Sequence, residues 1–124
     1  MNIFITIENQ TFEAELNESP GARKLSHALP LTVRLSRWGD EYYGNCGLSV
    51  AEDSTARELL HVGEIAFWPP GQALCLFFGP TPASTDDRPR AASPVVPLGK
   101  ITGDATALRS FGSSVEAQLR RDSP

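Results

Sequence analysis

Basic charge is scarce in this sequence. Eleven lysines and arginines stand against fifteen aspartates and glutamates, for a formal net charge of −4. A scattered basic set of that size cannot neutralise a phosphate backbone, so no nucleic-acid partner is expected. Long apolar runs are missing too. The longest, residues 73–78, is far shorter than the roughly 20 residues of a spanning helix, and no membrane partner is expected. The N-terminus, MNIFITIENQ, lacks a basic n-region and a small-residue cleavage site and reads as a strand of the mature protein. Cysteine is limited to Cys46 and Cys75, with no CxxC spacing and no histidine cluster. Both are read as reduced, buried thiols of a cytoplasmic protein.

Several catalytic signatures are also missing. There is no GxSxG, no HExxH or His-x-x-His, and no glycine-rich phosphate loop. His27 falls on a predicted helix and His61 before a strand, both read as surface or capping residues. Asp86-Asp87 reads as a solvated loop pair rather than a cation site. Cys75 lies within an apolar strand, where burial raises a thiol's pKa and makes it inert. No metal or organic cofactor is expected.

Turn formers, by contrast, are plentiful: ten glycines and ten prolines in 124 residues, which favours a β-rich chain. Ile3, Ile5 and Ile7 alternate with Phe4, Thr6 and Glu8, and Phe12, Ala14 and Leu16 alternate with Thr11, Glu13 and Glu15 after a polar link, so the chain opens with a hairpin. Ser19 as N-cap, Pro20 in the first turn and Pro30 as a stop predict one short helix, slightly weakened by Gly21. Period two returns in LTVRLS, with Leu31, Val33 and Leu35 inward. RWGDE is a turn, YYGN starts another strand, and residues 46–62 read as a loop with a helical turn near TARELL.

The segment GEIAFWPPGQALCLFFGPTP holds two strands. Its Pro-Pro-Gly corner predicts a type II turn, with Pro70 at the second position and Gly71 supplying the positive φ. ALCLFF is apolar throughout, so it is expected to be buried on both faces. Residues 79–94 form a long loop. VVPLGKI is a strand kinked at Pro97, Asp104 caps a short helix, and SVEAQLR closes the sheet. The expectation is one all-β domain over 1–124, frayed from about 120. It is an approximately eight-stranded closed barrel with one or two short helices, and closure would remove exposed edges.

The stretch GEIAFWPPGQALCLFFGPTP, with WGDEYY from Trp38 to Tyr43 and LGKI from Leu98 to Ile101, resembles the cyclophilin-like fold proteins. The likeness is to a small bacterial and archaeal branch of unestablished role, related to the peptidyl-prolyl isomerases. The resemblance implies that Arg34, in the strand after the first helix, takes the place of the catalytic arginine of true cyclophilins. Trp38 follows it by four positions where cyclophilins have an aromatic at five. Phe77 and Phe78 match a phenylalanine pair, without the glutamine that precedes it. The pocket histidine and the loop tryptophan have no counterpart here.

Prolyl isomerisation needs no nucleophile. A guanidinium beside a dry apolar pocket can lower the barrier of about 18–20 kcal/mol by weakening amide conjugation. Arg34 with Trp38, Trp68 or Phe78 could form such a site; the plainer reading makes Arg34 a solvated surface cation. A groove built from Trp38, Tyr42, Trp68, Phe77 and Phe78 would instead bind a peptide or small ligand without catalysis. Tyr42, Tyr43 and Trp68 also have a plainer role as rim packing. A third role left open is a scaffold that acts as a homo-oligomer through these aromatics. The expected function is ligand binding beside the barrel, with weak or no isomerase activity.

Overall fold

The computed structural model describes residues 1–122. Strands β1 (Asn2–Ile7) and β2 (Gln10–Leu16) pair antiparallel, with Ile3 opposite Ala14 and Ile5 opposite Phe12. Their alternate side chains, from Ile3 to Leu16, are buried, as the two-residue period of a strand requires. Ser19 caps helix α1 (Pro20–Ala28), its hydroxyl accepting from the Ala22 N–H at 3.1 Å. Strands β3 (Leu31–Arg37) and β4 (Glu41–Asn45) form a tight hairpin. The backbones of Trp38 and Glu41 exchange hydrogen bonds of 2.8 and 3.2 Å across it. Gly39, at φ 60°, takes the first loop position, where glycine carries no steric penalty.

The TARELL segment is not helical. It contains strand β5 (Arg57–Leu59). The Arg57 guanidinium reaches both carboxylate oxygens of Glu64, at 2.6 and 3.0 Å, and Leu60 is buried. These tertiary contacts override the local helical preference. Strands β6 (Glu64–Trp68) and β7 (Ala73–Phe77) follow, joined by a single 3-10 turn, Pro69–Gly71. The positive φ at this corner belongs to Gln72, at 46°, and not to Gly71. Gly71 answers a different demand: a Cβ there would lie 2.8 Å from Cε3 of Trp68, whose indole folds over the turn.

Strand β8 (Arg90–Ile101) begins earlier than its sequence suggests. Its register against β6 shifts where Ile65 and Ala66 face Gly99 and Pro97, so the expected kink is a bulge at a residue without a donor N–H. Gly21 is explained here as well. A Cβ on it would meet Val50 Cγ1 at 2.8 Å and Leu98 Cδ2 at 3.0 Å, so its absence lets α1 lie close to β8. Asp104 caps a short 3-10 helix, Ala105–Ser110. Strand β9 (Ser114–Arg121) continues past the point where fraying was expected. The Arg120 guanidinium lies 4.7 Å from the Phe4 ring centre, and Arg121 donates to the Ser26 carbonyl at 2.9 Å. Residues 123 and 124 of the expected tail lie outside the described residues.

The strands run β2-β1-β9-β3-β4-β7-β6-β8, and β8 pairs back onto β2, closing a ring of eight with β5 attached outside on β8. Alternation then divides the apolar side chains into two layers. Leu74, Leu76 and Phe78 enter the barrel core with Ile65, Phe67 and Tyr42. Ala73, Cys75 and Phe77 face outward into a second layer with Leu60, Ala66, Ala91 and Val95. Strand β7 is thus buried on both faces, as its composition requires.

The seam between β2 and β8 comprises three residue pairs, and at Gly99 a Cβ would stand 2.2 Å from the Glu15 carbonyl oxygen. Gly99→Ala must push the two strands apart. We expect it to cost about 1–3 kcal/mol or more in urea unfolding, with faster amide exchange at Asn17, which bonds across to Leu98. An unchanged midpoint would show that the seam does not hold the ring.

Candidate functional site

The outer apolar layer is not covered completely. Where the cover stops, a cleft of about 270 Å³ opens between β4, β6 and β8. Trp38, Tyr43 and Trp68 give it aromatic walls, Ala91, Ala92 and Val95 complete them, and Glu41 lies at its base. Strand alternation puts Glu41 and Tyr43 together on this face and sends Tyr42 into the barrel. Trp68 is fixed from two sides: its ring lies against Gly71, and its Nε1 donates to Ser93 Oγ at 2.7 Å.

Glu41 is the unusual group. It is 5% exposed, and desolvation pushes its carboxyl up to about 7, with the neighbouring Cys75 thiol acting in the opposite direction. Its neighbour Asp40 holds both Arg37, at 3.0 Å, and Arg109, at 2.8 Å. Among the described residues, no cation pairs with Glu41 itself. Burial raises the Cys75 thiol well above its ordinary value, and the charge of Glu41 adds to this.

Of the residues singled out in the sequence, Trp38 and Trp68 come together in the cleft. Tyr42 and Phe78 do not: they stack in the barrel core with ring centres 5.5 Å apart, and the Tyr42 hydroxyl donates to the Gly112 carbonyl. Phe77 is fully buried in the outer layer, beneath the surface rather than lining it. Arg34 lies on the outer face of β3, with its side chain 68% exposed. There it meets its cross-strand neighbour Glu116 at 3.9 Å and Ser114 at 3.3 Å, and it does not line the cleft. Glu41 does not stand out in the sequence because DEYY reads as the edge of a turn. A two-residue loop at Gly39-Asp40 makes Glu41 a strand residue in phase with Tyr43, and that spacing was the available signal.

Other candidates are accounted for by local partners. His61 and Arg57 both pair with Glu64 at the margin of a larger, more polar depression beside the β2–β8 seam. Asp86 pairs with Arg88. Cys46 belongs to the barrel core and Cys75 to the outer layer; both are free thiols. Among the described residues no three His, Cys, Asp or Glu side chains gather as a metal site would need. No helix among them is long and apolar enough to cross a membrane.

The Glu41 shift makes stability depend on pH. Below 4.5 the carboxyl is neutral in both states. As pH rises the unfolded chain ionises first, while the folded protein keeps the proton to about 7. Stability is therefore lost across that interval, by up to about 3 kcal/mol. We expect Glu41→Gln to match the wild type in urea unfolding at pH 4 and to exceed it increasingly up to pH 8. A difference that does not vary with pH would mean that Glu41 ionises normally.

The sequence model of the cyclophilin-like family matches residues 1–120. The solution structure of the hypothetical protein AF2241 from Archaeoglobus fulgidus is similar, with a TM-score of 0.80 and 34% sequence identity. That match covers 98% of this chain and 94% of the archaeal one. No curated protein matches. With its eight-stranded ring and a family match over nearly its whole length, the chain belongs to the cyclophilin-like family.

Proposed function

We propose that this protein is a ligand-binding barrel that takes a small molecule or a peptide side chain in the cleft of Trp38, Tyr43 and Trp68, and that it has little or no prolyl isomerase activity. The observation that carries this reading is the make-up of the cleft. It is an aromatic recess with a carboxyl group at its base, and among the described residues no guanidinium lines it. Twisting an X-Pro amide needs a donor aimed at the amide nitrogen or a developing charge, and Arg34 is engaged elsewhere with Glu116 and Ser114. A volume of about 270 Å³ is slightly below the roughly 300–1,000 Å³ of drug-sized sites. It suits one side chain or a small head group. A cytoplasmic setting, with both thiols reduced, belongs to the same reading.

The chain has two tryptophans and both line the cleft, so their indole N–H signals report on it directly. We expect a panel of X-Pro peptides and small apolar fragments to include ligands that shift both signals saturably, with Trp68→Ala removing the effect. Cis–trans exchange of the peptides should stay at its uncatalysed rate. Acceleration that Arg34→Ala abolishes would establish the isomerase instead.

A further inference from the structure

We infer that the cleft recognises an alkylammonium group, with Glu41 as its counter-ion and the rings of Trp38, Tyr43 and Trp68 around it. This rests on the ligand-binding reading above and names the chemistry of the ligand. Three observations lead to it. First, three aromatic side chains, both tryptophans among them, wall one recess, and the face of an aromatic ring attracts a cation, tryptophan most strongly. Second, Glu41 lies at the base of that recess without a cationic partner among the described residues, although Asp40 beside it has two. A neutral ligand covering Glu41 would deepen its desolvation, whereas a cation would offset it. Third, the protein carries a net charge of −4, which favours the approach of a cation.

The charge belongs to an organic cation rather than a metal. A hard metal ion wants several oxygen ligands, and here one carboxylate sits among rings and alanines. An alkylated ammonium disperses its charge over methyl groups, which prefer aromatic surface to water. The same head group occurs on free molecules such as choline and on methylated lysine side chains.

The test is calorimetric titration of the intact protein with tetramethylammonium, choline and a trimethyllysine peptide, alongside 3,3-dimethylbutanol, the uncharged isostere of choline. At pH 8 at least one cation should bind ten-fold or more tightly than the isostere. Glu41→Gln, expected to fold well, should abolish that preference. The titratable and charged groups near Glu41 are Cys75 from β7, Tyr43 on its own strand, and its chain neighbour Asp40, whose carboxylate is held by Arg37 and Arg109. The loop, β6 and β8 contribute Trp38, Trp68, Ala91, Ala92 and Val95, which do not titrate. Cation affinity should therefore fall about ten-fold or more between pH 8 and pH 5.5 as Glu41 takes up its proton, and Glu41→Gln should remove that dependence.

Binding by choline alone or by the peptide alone supports the inference and identifies the source of the head group. Equal affinity for the isostere overturns it while leaving a ligand-binding cleft. Failure of all three cations at pH 8 also overturns it, and the indole titration with neutral fragments then decides the broader reading separately.

Discussion

A strand that is apolar on both faces cannot meet water on either side, and β7 is such a strand. Burying one large side chain such as Phe77 contributes roughly 1.5–3 kcal/mol, so the outward-facing Ala73, Cys75 and Phe77 press for cover as strongly as Leu74 and Leu76 press for a core. The barrel interior satisfies one set. The other is satisfied by structure that a plain eight-stranded ring would not have: β5, Leu60 and the early extension of β8 with Ala91 and Val95. The cleft is the part of this outer layer that the cover leaves open. Its aromatic walls are continuous with the packed outer layer around Glu41, which gives them a defined geometry rather than a loose surface patch.

That arrangement separates fold from chemistry. The family likeness leads one to look for a guanidinium beside aromatic side chains. The cleft instead carries a carboxyl group at its base, while the arginine on the neighbouring strand belongs to a surface ion pair with Glu116. The recess thus holds an acid and, among the described residues, no guanidinium. A barrel of this type can carry varied chemistry there because the ring is held largely by backbone pairing and interior packing.

Much of the fold was legible in the sequence because strand periodicity and capping are local. Ile3, Ile5 and Ile7 show their inward face without help from the rest of the chain, and Ser19-Pro20 marks the helix start by itself. The sequence misleads where distant contacts decide. TARELL became a strand because Glu64 and the edge of β8 lie beside it, and Gly71 was needed for the indole of Trp68 rather than for its φ. The candidate site was less legible for a related reason. In a strand, a one-residue error of phase exchanges inside for outside. The sequence points Tyr42 toward a groove, whereas Glu41 and Tyr43, its two neighbours, are the residues that line the cleft. Trp38 and Trp68 escaped that error because each stands at the end of a strand, where the side chain reaches the rim.

Strand β5 has a further consequence. Joining its last strand to its first leaves this sheet few free backbone groups to offer a neighbouring molecule, and β5, paired only with β8, is an exposed strand margin. It is three residues long and includes Arg57 and Glu58. So short and so charged a segment is a poor template for edge-to-edge growth. Copies of this protein crowded together are thus discouraged from assembling into fibrils, even though the chain contains a strand that is apolar and buried at every position.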